Sequence, residues 1–457
     1  MKTLSQSVSA DGVRRLASGW LILALTAIGI STLFALLLVV SRTPFLNHGF
    51  LAPDFFTTAL VLHVDFAVLV WFLAFAGVVW SLLCGARGVY LAWLALLTVV
   101  FGVGLMLVAA FLGEGQPALS NYIPVLKGPV FLSGLGLFGL GVSMMVLRSL
   151  MMLMQRRERM EAGLHLGAWC AALVVLFSLL ILAWNYWRLP EAAGGSYFEM
   201  LFWGSGHVLQ FNHVLMMLVV WMVLARQAGI RVGGRMLFPV VLLLTLAPVL
   251  LTPIFQWLFE PDSQQYRQIY TQLMRYGSWP PAVVIAMLLL RGYFTERKRA
   301  DEAAVAANVL LFSVLLFIAG ILSGALIKVD NVLVTAHYHG TVGAVTLAFM
   351  GLTYYLLPRL GARELPVRGM RLQVRLYGGG MLTLISGLLW SGLHDVPRKV
   401  PGEAQLLENA QELAGMMLMG AGGLVALLAT WMYLLLALRS LWPVGQTLFQ
   451  MRMDQPG

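Results

Sequence analysis

The sequence predicts an all-α integral membrane protein: one bundle of twelve transmembrane helices with both termini on the cytoplasmic side. Three observations carry that prediction. Mean hydropathy is +0.84 with 60% hydrophobic and only 11% charged residues, well outside the range of soluble domains. Apolar runs of about 20 residues, the length an α-helix needs to cross a bilayer, recur along the whole chain. The positive charges gather in every second connection between those runs, as the positive-inside rule requires.

In order, the spans fall at about 17–42, 55–83, 88–113, 128–150, 167–187, 199–225, 236–258, 276–294, 306–328, 332–357, 374–393 and 413–438. Residues 1–16 are expected as a cytoplasmic N-terminal segment and 440–457 as a cytoplasmic tail, so that 1–457 is a single membrane domain. With the N-terminus inside, the outer connections hold Arg42, Lys127, Arg188, Arg267, Arg275, Lys328, Arg398 and Lys399, leaving the other 22 of 30 Lys and Arg inside. The net charge of +10 is therefore a topology signal, and no nucleic-acid partner is expected. The first apolar run, from Ala17, is long enough to span and lacks a small-residue cleavage pattern, so no cleavable signal is expected. The two cysteines, Cys84 and Cys170, exclude a disulfide framework and a cysteine-rich metal site. Glycines inside spans, such as Gly134, Gly136, Gly139 and Gly141, are read as close helix-packing positions. Lipid is the expected surroundings, and a bacterial inner membrane the expected location.

Eight histidines remain to be explained, and four share one depth. His63 lies about eight residues into span two, His207 about eight into span six, and His337 and His339 about five to seven into span ten. All three spans run from outside to inside, so at about 1.5 Å per residue the four imidazoles lie roughly 8–12 Å below the outer surface. Ionisable side chains in the bilayer are costly and mark function. His337 and His339 are separated by roughly 200° around their helix, so one metal cannot take both, and one helix can serve two centres. His213 is read as a helix-packing residue, His48 and His165 as loop or span-end residues, and His394 as part of an outer connection. Asp65, two residues past His63, is read as a local hydrogen-bond partner.

Facing imidazole pairs in a low-dielectric layer are axial ligands of b-type haem. His63 with one of the span-ten pair would hold a low-spin haem. The other would hold a second haem at one axial position, with His207 looking into its open face. Arg398 and Lys399, at the same height outside, would meet haem propionates. The motifs resemble those of subunit I of the haem–copper oxidase superfamily. VDNVLVTAHYHGTVG, from Val329 to Gly343, is similar to its tenth-helix motif, implying His339 on the low-spin haem and His337 on the second haem. TALVLHVDFAVLVW, from Thr58 to Trp71, is similar to its second-helix segment and implies His63 as the other low-spin ligand. GHVLQF, from Gly206 to Phe211, resembles the sixth-helix motif whose histidine is a copper ligand, and HDVPRK, from His394 to Lys399, resembles the propionate-binding loop.

One departure stands out. The family's span seven carries two adjacent copper-ligating histidines; here that region reads Leu251-Thr252-Pro253-Ile254-Phe255-Gln256-Trp257. Copper held by neutral nitrogen needs several imidazoles, so copper is doubtful and His207 is expected as a vestigial copper ligand or distal-pocket residue. The resemblance implies a di-haem respiratory oxidoreductase subunit. It would pass electrons from an outer-face donor through the low-spin haem to a second haem that reduces O2 or NO, beside further membrane or outer-face cytochrome c or copper-containing subunits. The competing reading is a non-catalytic haem conduit or gas sensor. A twelve-span transporter is a third, disfavoured by the lack of repeat symmetry or broken-helix pairs.

Overall fold

In the computed structural model, the described residues are 11–46, 53–113, 115–153, 162–189, 196–295 and 299–453. His48 and the ends of the two terminal segments, 1–10 and 454–457, lie outside the described residues. A helix stands wherever the sequence predicts a span. Among the described residues, eleven helices are long and apolar enough to cross a membrane. The segment expected at 374–393 lies in a further 26-residue helix, Val367–Gly392, which is not among the eleven. Arg368, Arg371, Gln373 and Arg375 crowd its first half, and Gly378, Gly379 and Gly380 dilute the rest.

The chain forms two compact units. The first comprises Met1–Phe34, Pro53–Val219 and Val232–Leu288. It takes the first part of α1 (Asp11–Arg42), then α2 (Pro53–Val64) and α3 (Trp71–Cys84), which are joined by a π-helical turn at Asp65–Val70. The apolar window of this joined helix is 94% buried, against 39% for α4 (Val89–Ala109), so the first is a core rod and the second a peripheral one. A hairpin of β1 (Pro117–Ala118) and β2 (Val125–Leu126) leads into α5 (Pro129–Leu153), followed by α6 (Ala162–Arg188) and the start of α7 (Tyr197–Gln227). Span seven is broken into α8 (Leu237–Leu246), a 3₁₀ turn at Ala247–Leu251 and α9 (Thr252–Leu258). Pro248 and Pro253 lack the N–H that an unbroken ladder needs, which accounts for the tightened turn. Next comes α10 (Gln264–Gly277), N-capped by Ser263, whose hydroxyl accepts from Tyr266 N at 3.1 Å. Tyr266, Tyr270 and Leu273 recur at helical spacing and are its buried face. The unit closes with the start of α11 (Pro280–Thr295).

The second unit comprises Ala35–Ala52, Val220–Arg231 and Leu289–Gly457. Its helices are α12 (Asp301–Ala325), α13 (Val332–Leu356), α14 (Val367–Gly392) and α15 (Ala410–Met453). Gly320 on α12 and Gly340 on α13 meet backbone to backbone, leaving no room for a Cβ on either. Such approach is how membrane helices gain dispersion contacts where lipid removes the hydrophobic drive. Ser313 strengthens the same pair by donating to Ala344 O at 2.7 Å.

The glycine expectation holds for only half of the α5 set. A Cβ on Gly134 would fall 2.7 Å from Gly102 O, and one on Gly141 would fall 2.7 Å from Ala95 O, both on α4. Gly136 and Gly139 have nothing within 4 Å and leave the other side of the helix. Residues 134 and 141 share a stripe seven apart; 136 and 139 do not. Gly134→Leu is therefore expected to destabilise by about 1–3 kcal/mol or more, while Gly136→Ala leaves thermal stability in detergent unchanged or slightly raised. An equal loss at both positions would contradict this packing.

Candidate functional site

The site in the second unit starts where α13 starts. Asn331 caps the helix: its side-chain oxygen accepts from Leu333 N at 2.9 Å. Its amide donates to Gly392 O at 2.8 Å and to Asp395 Oδ1 at 3.2 Å. Val332 N donates to Val396 O at 3.1 Å, and Asn331 bridges to Pro397. Arg398 Nε donates to Asp330 Oδ1 at 2.5 Å, with its side chain only 7% exposed. The 394–399 loop is thus stapled to the first turn of the helix that carries His337 and His339. Lys399, at φ 60°, turns the chain beyond it.

His337 and His339 are half-buried, and the structure settles their tautomers. His337 Nδ1 donates to Gly320 O on α12 at 2.8 Å, and His339 Nδ1 donates to Thr335 O on its own helix at 2.8 Å. A carbonyl only accepts, so each proton sits on Nδ1 and each lone pair on Nε2. Gly324 makes the first arrangement possible, since a Cβ there would fall 2.5 Å from His337 Nδ1. Tyr338 stacks on His339 with ring centroids 5.2 Å apart.

Arg42 joins this group from the end of α1. Its Nη2 donates to Pro397 O at 2.9 Å, and its own carbonyl accepts from Gln405 Nε2 at 3.2 Å. The guanidinium acts electrostatically on both Tyr338 and His339. Its Nε–H is buried without an acceptor among the described residues. A half-buried cation with a buried, unused Nε–H could hold a ligand that carries a carboxylate.

In the first unit, His63 Nδ1 lies 3.2 Å from Ser31 O and 3.0 Å from Ser31 Oγ, while that hydroxyl donates to His63 O at 3.0 Å. The hydroxyl proton is used on the carbonyl, so His63 Nδ1 carries the ring proton, as in the span-ten pair. The π-helical turn begins two residues later, at Asp65. Asp65 is fully buried, and neither carboxylate oxygen meets a partner among the described residues, so the local partner expected for it is not there.

His207 differs from the other three. Its Nδ1 donates to Trp203 O at 2.6 Å, but its Nε2 lies 2.7 Å from the Tyr122 hydroxyl. Both nitrogens are committed, and the ring is 1% exposed. Tyr122 comes from the β1–β2 hairpin, which Asn121 pins by donating from N and Nδ2 to the two carboxylate oxygens of Glu199 at 2.8 and 2.6 Å. On span seven, Gln256 donates to the hydroxyls of Tyr266 and Tyr270 at 2.9 and 3.1 Å. Among the described residues, no group of three or more His, Cys, Asp or Glu could hold a metal ion. His213 is buried edge-on to Phe72 at 4.6 Å, and half-buried His394 donates from Nδ1 to Trp390 O at 2.8 Å.

With this geometry in place, the relatives can be compared. Residues 15–426 match the family described as Cytochrome C and Quinol oxidase polypeptide I. The chain belongs to the haem–copper oxidase subunit I family. As a member, it is an integral, multi-pass membrane protein. It is 24% identical to an uncharacterised protein of Rickettsia prowazekii over 95% of this chain and 96% of that one. It is 30% identical to an uncharacterised protein of Aquifex aeolicus over 76% and 85% of the two chains. Cytochrome c oxidase subunit 1 of Thermus thermophilus is 29% identical over 50% of this chain and 45% of its own. A haem–copper terminal oxidase dimer solved by cryo-EM shares the fold, with TM-score 0.71 at 16% identity over 94% and 84% of the chains.

Two residues of this family member escape sequence reasoning. Arg42 reads as one outer cation among eight, and Tyr122 sits in a connection without motif or period. Replacing Glu199 with alanine is expected to raise amide hydrogen exchange across 117–126, because its carboxylate holds both the backbone N–H and the side-chain amide of Asn121. Unchanged protection there would show that the hairpin is held by something else.

Proposed function

We propose that the chain is a respiratory oxidoreductase subunit with two b-type haems, taking electrons from an outer-face donor and delivering them to a small oxidant such as O2 or NO. His63 and His339 would hold the low-spin haem, and His337 would hold the second haem. Arg42, Arg398 and Lys399 take the propionates. In this reading the bundle has twelve spans with both termini cytoplasmic, sits in a bacterial inner membrane, and works beside donor subunits.

The observation that carries the reading is the shared wiring of three imidazoles. His63, His337 and His339 each give Nδ1–H to a backbone carbonyl. Such a bond fixes the ring and raises the basicity of Nε2, the arrangement that iron-ligating histidines need. Two of the three carbonyls belong to neighbouring helices, Ser31 and Gly320, so the pattern is not a by-product of local helix geometry. Bound haem supplies one-electron chemistry and, at an open axial position, a place for a small gas. The half-buried Arg42 guanidinium would offset carboxylate charge where the low dielectric would otherwise make it costly.

Copper does not suit the donor set. The His207 Nε2 lone pair accepts the Tyr122 hydroxyl, and span seven offers an amide and aromatic rings at 251–257 where copper would need imidazoles. We therefore propose a degenerate copper site and derive no step from that metal.

Reduced-minus-oxidised and carbon-monoxide-difference spectra of the purified protein, with metal analysis, test this function. Two haems are expected, one binding carbon monoxide, with copper far below one per chain. His63→Ala should remove the low-spin signal and keep the carbon monoxide band, and His337→Ala should do the reverse. Protein without haem sinks the reading. One low-spin haem without a carbon monoxide response would favour an electron conduit.

A further inference from the structure

The geometry points to a redox-active phenol–imidazole pair, Tyr122 and His207, in the N-terminal half of α7. The direction of its hydrogen bond is fixed. Trp203 O can only accept, so His207 Nδ1 keeps its proton, Nε2 is an acceptor, and the Tyr122 hydroxyl at 2.7 Å is the donor. The imidazole is almost fully buried, so no bulk water competes for its lone pair.

The contact is built, not incidental. Asn121, the residue before Tyr122, is held by both oxygens of Glu199. The Ser120 hydroxyl closes the hairpin tip onto Ile123 O. Gly206, the residue before His207, is where the phenol ring rests: a Cβ there would collide with Tyr122 Cβ and Cγ. Glu199, Trp203 and Gly206–His207 lie on successive turns of α7, and all serve the placement of one hydroxyl. Tyrosine as mere filler would need the ring but not the aligned O–H.

The chemistry follows from the alignment. Taking an electron from a neutral phenol while its proton stays leaves a strongly acidic cation, which a low-dielectric site disfavours. Here the proton has an acceptor within hydrogen-bond reach. In the step, one electron leaves the Tyr122 ring for a one-electron oxidant. The phenol O–H bond breaks, and an N–H bond forms at His207 Nε2. The products are a neutral tyrosyl radical, an imidazolium and the oxidant reduced by one electron. Return of an electron reverses each change.

Trp203 gives the pair an outward connection. Its ring centroid is 4.8 Å from that of His207 and 5.8 Å from that of Tyr122. Its indole N–H donates to Arg267 O at 3.0 Å, and the Arg267 guanidinium lies 4.8 Å over the ring. Trp203 and Arg267, with Gln268 and Thr271, line an outer groove of about 530 Å³. A reductant held there lies one indole from the pair. For its natural oxidant, a haem centre oxidised in turnover, the inference rests on the function proposed above; the chemistry of the pair itself does not.

The test uses the full-length protein, haem oxidised, in detergent with a ruthenium tris-bipyridine photo-oxidant, read by electron paramagnetic resonance after freezing. A tyrosyl radical is expected whose lines narrow with ring-deuterated tyrosine. It should be lost in Tyr122→Phe, persist in Tyr270→Phe, and form more slowly in heavy water in the unaltered protein. A signal unchanged by Tyr122→Phe, no tyrosyl signal at all, or no isotope effect would each overturn the pair. Haem content of the same samples reports separately on the proposed function, because absence of haem would not prevent photo-oxidation of Tyr122.

Discussion

An imidazole surrounded by hydrocarbon and packed helices must have its hydrogen bonds settled before it can do anything else, because an unpaired polar group there costs several kcal/mol. This constraint orders the functional half of the molecule. At His63 and His337 a carbonyl on a neighbouring helix meets Nδ1, and at His339 and His207 a carbonyl one turn back does so. Each bond spends one nitrogen to define the other. At His207 the protein supplies a phenol as the partner of Nε2. The backbone has in effect chosen which ring nitrogen carries the proton.

The same economy governs how tightly the helices stand. Carbonyls can reach imidazoles across a helix crossing only if the backbones are close, and Gly320, Gly324 and Gly340 make α12 and α13 close. Bulk at any of them would move the acceptor of His337 as surely as replacing it. The stapled loop does similar work at the N-terminal end of α13. Asn331 holds the first turn of α13 and the 394–399 segment together, so Arg398 and the histidines move as one piece.

Much of this was legible in the sequence, for physical reasons that differ from part to part. Spans are readable because lipid tolerates only long apolar helices, and a spacing of two on a helix opposes two side chains whatever surrounds them. The missing span-seven histidines are visible because coordination chemistry needs residue types, not just shape. Gly136 and Gly139 were misread because a glycine does not announce which side of its helix faces a neighbour. Tyr122 and Arg42 were not singled out because their roles depend on partners 85 and 355 positions away in the chain, at His207 and Pro397. The carboxylate of Asp65 meets no partner among the described residues, which a spacing of two from His63 does not reveal.

The π-helical turn at Asp65–Val70 has a consequence for how this rod can change. Each such turn holds about one residue more than an α-helix would use for the same rise. Above it hangs His63; below it, Trp71 and the rest of α3 bury themselves in the first unit. Losing one residue between the two would restore a regular ladder and swing the upper segment about 100° against the lower. No substitution does that. A single-codon deletion is therefore the smallest genetic step that would unscrew this histidine from its place, and the extra residue works as a spacer that sets the angular phase of the whole helix.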